Sequence, residues 1–130
     1  FVRGEDSFSR CCLLGNPFVW NIYPQEEEFH IVKLNAFLQR IKIPQIEKFS
    51  FLYNRNFEVS CCPEALEILE EKKLPSEPEK INSEMKTEIL SLLKNSENLK
   101  PEFKKFSNEI LKNGNLAENL LNFLETKIPR

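Results

Sequence analysis

The sequence predicts an α/β fold, a parallel βαβ unit followed by several α-helices. Up to Pro44, short apolar runs alternate with helix-periodic segments in the order strand, helix, strand, helix. That order implies a parallel sheet with right-handed crossovers. Gly15 and the Tyr23-Pro24 pair stand where the first helix and the second strand should stop. After Pro44 the apolar residues recur almost wholly at helical spacing.

Taken in order, Phe1-Val2 reads as the end of a strand and Asp6 to Leu14 as a helix closed by Gly15. Phe18-Val19-Trp20-Asn21-Ile22 is a β-type run. Phe29 to Ile41 carries Phe29, Val32, Ala36 and Phe37 on one helical face, and Leu34, Leu38 and Ile41 widen it. A weaker helix covers Gln45 to Phe51, and another covers Glu64 to Lys72 with Pro63 at its first position. Leu74 to Lys80, with two prolines among charges, reads as an exposed loop. Met85, Ile89, Leu92 and Leu93 mark one amphipathic helix; Phe103, Phe106, Ile110 and Leu111 mark the next. Beyond Asn113-Gly114, Asn115 caps a last helix with Glu118 as its capping-box partner, and Leu116, Leu120, Leu121 and Leu124 form its buried side. Two strands do not make a stable sheet, and the chain opens without methionine. The expectation is therefore the C-terminal piece of a larger α/β domain, with residues 1–43 ending that domain and residues 44–130 a mostly helical region.

Composition narrows the function. The 130 residues are 41% hydrophobic and 29% charged, ordinary for a globular protein. A net charge of -2 and a pI near 5.6 leave no basic footprint for nucleic acid. No apolar run reaches the roughly 18 to 20 residues of a membrane span, and no signal peptide is visible, so a cytoplasmic protein without a membrane partner is expected. The cysteines form adjacent pairs, Cys11-Cys12 and Cys61-Cys62. That spacing suits neither a zinc site nor a dense disulfide scaffold, and reduced structural thiols are expected.

The most unusual stretch is Arg3-Gly4-Glu5-Asp6-Ser7, wedged between apolar runs. In an open parallel sheet, ligands bind beyond the carboxyl ends of the strands. Two loops lie at that edge here, Gly4 to Ser7 and Tyr23-Pro24-Gln25. The first also opens a helix, whose unpaired N–H groups and positive dipole end attract phosphate. Gly4 admits a close approach, Ser7 can donate, and Arg3 can add a charge-assisted pair. An alternative stays open: Asp6 or Ser7 caps the helix and Glu5 favours its dipole.

A longer pattern adds to this. Arg-Gly-Glu-Asp-Ser-Phe, then Gly-x-Pro-Phe-Val-Trp, then Ile-Tyr-Pro-Gln-Glu, then His30, Lys33-Leu34 and Ala36-Phe37-Leu38 closely resemble the C-terminal region of the elongation factor P arginine rhamnosyltransferases (EarP). Asn115-Leu116-Ala117 with Leu120-Leu121 and Phe123 is similar to that family's last helix. The resemblance is dense over about the first forty residues and loose in the middle. It implies a GT-B glycosyltransferase architecture of two Rossmann-like domains, of which this sequence would supply the end of the nucleotide-sugar-binding one. It also implies inverting transfer of rhamnose from dTDP-β-L-rhamnose to an arginine of elongation factor P, with no cofactor beyond that donor. Carried over by motif, Arg3 contacts the diphosphate and Asp6 and Ser7 bind it at the helix N-terminus. Glu5 matches an essential glutamate acting in donor positioning or in the reaction, and Gln25 approaches the donor from the neighbouring loop. The family's proposed general base is an aspartate of the N-terminal domain, so the piece alone is expected to be inactive. Cys11-Cys12-Leu13-Leu14 departs from the family's alanine- and tryptophan-containing helix, a change expected to bear on packing.

Other residues divide between two readings. His30, the single histidine, reads as structural rather than as a proton shuttle. Trp20 reads as core, whereas Tyr23 is open between packing and stacking on a ligand. Glu26-Glu27-Glu28 reads as a helix start, with a basic protein partner as the alternative. The competing function is a non-enzymatic helical interaction module or a decayed gene remnant.

Overall fold

The computed structural model describes residues 1–56, 58–75 and 77–127, with only the backbone at Leu116 and Lys127. The described residues form helices α1 (Glu5–Leu14), α2 (His30–Ile41), α3 (Pro44–Asn54), α4 (Pro63–Lys72), α5 (Pro78–Leu111) and α6 (Leu116–Lys127), with a 3-10 turn at Glu26–Glu28. Helix α5 packs along both α1 and α3, and α2 packs on α3 and α4.

The core is aromatic where these helices meet. Phe8 stacks on Trp20 with ring centroids 3.8 Å apart, and Phe18 lies within 5.6 Å of Phe37 and 5.4 Å of Phe103. Trp20 is buried, as its place in an apolar run predicts. The end of α1 is fixed by backbone geometry. Gly15 takes the left-handed conformation (φ 70°), and its N–H donates to the Cys11 C=O. The turn lies so close to α5 that a Cβ on Gly15 would stand 2.9 Å from Ser107 Cβ and 3.1 Å from Lys104 Cα. Ser107 Oγ, on α5, donates to the Leu13 C=O at 2.6 Å and ties the two helices together.

The α/β prediction is overturned. Among the described residues there is no strand and no sheet, only one parallel bridge between Val2 and Trp20, so the expected Rossmann-like βαβ arrangement of a GT-B domain is not seen. The bridge rests on two bonds, Val2 N–H to the Val19 C=O (2.9 Å) and Asn21 N–H to the Val2 C=O (2.7 Å). A ladder would continue on the far edge of the second segment, where the Trp20 C=O and the Ile22 N–H point away from Val2. There a side chain stands in for a strand. Asn54, at the end of α3, donates through Nδ2 to the Trp20 C=O and accepts the Ile22 N–H on Oδ1, both at 2.8 Å. The same Nδ2 also donates to the Ser50 C=O at 2.8 Å. Buried backbone groups must be paired, and one amide side chain meets that requirement without a sheet.

Three local expectations also change. The two helices expected at Met85 and Phe103 are one helix, α5, with Pro101 inside it. Ile81, Met85, Ile89, Leu92, Leu99, Phe103, Phe106 and Ile110 keep helical phase across Pro101, so packing on α1 and α3 offsets the hydrogen bond that proline cannot donate. The loop expected over 74–80 ends early, because Pro78 sits in the first turn of α5 with Glu79 beside it, both favourable there; Ser76 lies outside the described residues. Finally, Asn115 does cap α6, accepting the Ala117 N–H at 2.8 Å, but Leu120, Leu121 and Leu124 are exposed rather than buried. Helical spacing marks an apolar face without supplying a surface to cover it, and the Leu116 side chain lies outside the described residues.

Candidate functional site

Parallel pairing of Val2 with Trp20 sends the two following segments out on the same side. From Val2 the chain runs through Arg3 and Gly4 into α1; from Trp20 it runs through Tyr23 and Gln25 into the 3-10 turn. The Trp20 indole N–H donates to the Arg3 C=O at 3.3 Å, and the Arg3 guanidinium lies over the Tyr23 ring, 4.8 Å from its centroid. The two loops singled out from the sequence therefore meet, and Tyr23 is exposed beneath a cation rather than packed in the core.

Gly4 is the N-cap of α1, with extended backbone (φ -68°, ψ 150°) and no side chain capping the helix. The first intrahelical bond runs from the Phe8 N–H to the Gly4 C=O at 2.8 Å. The N–H groups of Glu5, Asp6 and Ser7 thus have no partner inside the helix. A Cβ on Gly4 would meet nothing within 4 Å, so the approach to these groups is open. Capping by Asp6 or Ser7, the alternative reading of the turn, does not occur. Asp6 instead pairs with Arg10 one turn on, at 3.0 Å.

The carboxylates have local cationic partners. Lys33 Nζ of α2 stands 3.9 Å from Glu5 Oε1. Both groups are well exposed, so the pair adds little to stability but places a second cation beside the helix N-terminus. Among the described residues no carboxylate pairs with Arg3. Arg3, Glu5, Asp6, Ser7 and Gln25 are all exposed, so the first-turn N–H groups and the Arg3 and Lys33 cations are accessible to an anion. The Glu5 and Asp6 carboxylates, held only in exposed ion pairs, are accessible to hydroxyl or guanidinium groups. Arg3, Glu5, Asp6 and Ser7 share one edge; Gln25 belongs to the neighbouring loop, and its N–H donates to His30 Nδ1 at 3.3 Å.

His30 is buried and its Nε2 lies 2.8 Å from the Asn54 C=O. A carbonyl only accepts, so Nε2 carries the proton and Nδ1 is the acceptor. Both ring nitrogens are engaged, which agrees with the structural reading.

Glu28 was missed. Three successive glutamates read as a helix start, yet Glu28 is 1% exposed. Its Oε2 lies 3.2 Å from Arg55 Nη1 and accepts from Cys61 Sγ at 3.0 Å, while Oε1 accepts the Asn56 N–H. Glu27 and Glu28 are both left-handed (φ 49° and 56°), a conformation uncommon outside glycine. The signal was Asn54-Arg55-Asn56 at the end of a helix, a polar run that periodicity does not read. Burial and the bond to Glu28 raise the Cys61 pKa, with Arg55 partly offsetting them, and burial, followed by the neighbouring Cys11, raises Cys12 to about 11. All four cysteines are free thiols. No helix among the described residues is long and apolar enough to cross a membrane.

Known proteins place this arrangement in context. The chain is similar to protein-arginine rhamnosyltransferases of Shewanella oneidensis (55% identical over 38 residues), Neisseria meningitidis (61% over 36) and Pseudomonas aeruginosa (60% over 38). Those stretches are 28–29% of this chain and 9–10% of each relative, so the matched part spans about a tenth of their length. No solved structure matches. The model of the Elongation-Factor P (EF-P) rhamnosyltransferase EarP family matches residues 1–125, almost the whole sequence, and the chain belongs to that family.

Proposed function

We propose that this chain supplies the donor-binding part of an inverting glycosyltransferase that moves rhamnose from dTDP-β-L-rhamnose to an arginine side chain of elongation factor P, in the cytoplasm. The observation that carries the reading is the uncapped, open N-terminus of α1, flanked by Arg3, Lys33 and the Tyr23 loop. In the transfer, a guanidinium nitrogen bonds to the anomeric carbon as the bond from that carbon to the diphosphate breaks. Negative charge then grows on the departing diphosphate. Arg3, the backbone N–H groups of the first turn and the Ser7 hydroxyl stabilise it there, and Asp6 helps hold the donor at the same helix end. Glu5 orients the rhamnosyl group or the incoming guanidinium, which is protonated near neutral pH and a poor nucleophile until a carboxylate base removes a proton. Gln25 reaches the donor from the adjoining loop.

The test is rhamnose transfer to elongation factor P by a protein in which this sequence is continued to the length of its relatives, alongside Glu5→Ala and Asp6→Ala. Loss of activity in both is expected; full activity in both removes the assigned roles. Adding dTDP should also shift the amide resonances of Gly4 to Ser7.

A further inference from the structure

The second loop of the site is held by side chains that touch no ligand in the proposed chemistry. Asn54 engages the Trp20 C=O and the Ile22 N–H just before the loop. Its own C=O accepts from His30 Nε2, which leaves Nδ1 to accept the Gln25 N–H inside the loop. Two residues further on, Glu27 and Glu28 hold left-handed backbone that persists only where the surroundings enforce it. The enforcement is visible: the Cys62 N–H donates to the Glu27 C=O at 2.7 Å, and the buried Glu28 carboxylate is clamped by Arg55, Cys61 and the Asn56 N–H. The loop thus enters and leaves through fixed points, with Tyr23 between them under the Arg3 guanidinium.

We propose that His30, oriented by the Asn54 carbonyl, is a positioning residue for donor binding: its Nδ1 fixes the Gln25 backbone, and so sets where Tyr23 seats Arg3 against the diphosphate. The inference rests on the donor-binding reading of this edge. It assigns His30 no proton transfer, since Nδ1 only accepts and Nε2–H only donates.

The two ring nitrogens can be separated by substitution. Asparagine puts an amide oxygen near the place of Nδ1, and glutamine puts an amide nitrogen near that of Nε2. In the protein continued to the length of its relatives, transfer is measured with dTDP-β-L-rhamnose varied, and thermal melting is measured beside it. His30→Ala should raise the donor KM about tenfold with kcat little changed, a loss in the range of one hydrogen bond. His30→Asn should restore KM to within about twofold of the parent, whereas His30→Gln should not, although both melt at similar temperatures. Equal donor KM in the Asn and Gln variants, or KM that follows melting temperature across the series, would overturn the proposal; this pair decides even if His30→Ala does not fold. Ser7→Ala separates the two levels. If it raises donor KM while the His30 variants do not, positioning fails and donor binding stands. If neither Ser7→Ala nor the His30 variants move donor KM, both readings fall.

Discussion

Asn54→Ala is the perturbation that most directly tests how this chain does without a sheet. The amide makes three hydrogen bonds of 2.8 Å, to the Ile22 N–H, the Trp20 C=O and the Ser50 C=O. The Ser50 carbonyl keeps its helical partner within α3, so two buried backbone groups lose their only bond on that edge. Each unsatisfied group costs about 1–3 kcal/mol, giving a loss of about 4 kcal/mol. That is a large share of the roughly 5–15 kcal/mol that stabilises a domain. At a urea dependence of about 2 kcal/mol per molar, the unfolding midpoint should fall by about 2 M, read by circular dichroism. Asn56→Ala is the control. Among the described residues its exposed side chain accepts only the Glu58 N–H, and its loss should stay near 0.5 kcal/mol. A loss below about 1 kcal/mol for Asn54→Ala would mean that water reaches the edge and replaces the amide, and the reasoning would fail.

Gly15→Ala should cost about 2 kcal/mol or more in the same assay, because left-handed backbone is disfavoured for alanine and the new Cβ meets the α5 backbone at Lys104. Cys12 adds a pH dependence. Its folded pKa of about 11 exceeds the ordinary 9.0, so its contribution is complete below pH 9 and is lost between pH 9 and about 11, as the unfolded chain ionises first. Replacing Cys12 with alanine should flatten urea midpoints over that window. Leu121→Glu, on the exposed face of α6, should change stability by no more than about 0.5 kcal/mol; a loss above 1 kcal/mol would show that this face is packed within the chain.

Much of the helical layout was legible because it rests on local rules. Pro63 opens α4, Gly15 closes α1 and Asn115 caps α6, each from residue type and spacing alone. In α2 Phe37, Leu34, Leu38 and Ile41 are buried as expected, whereas Phe29 and Ala36, expected on the same face as Phe37, are exposed. That the strand-like runs form no sheet was not legible, because strand pairing depends on partners distant in sequence. Phe18 to Ile22 has the composition of a strand, but Asn54, more than thirty residues away, takes its second edge. The continuity of α5 was hidden by Pro101, whose helix-breaking tendency yields to packing on both sides. At the site, the turn from Arg3 to Ser7 stood out because its polar residues interrupt apolar runs. Glu28 did not, since one buried glutamate in a row of three has the same letters as two exposed ones.

The amide of Asn54 also fixes a direction of growth. Since the Phe18–Ile22 segment is engaged by Val2 on one flank and by the Asn54 side chain on the other, an additional β-segment from any source would have to displace that amide from the Trp20 C=O and the Ile22 N–H. The plug is a terminus for β-association on that flank, shielding an apolar, aggregation-prone run from pairing with its own kind.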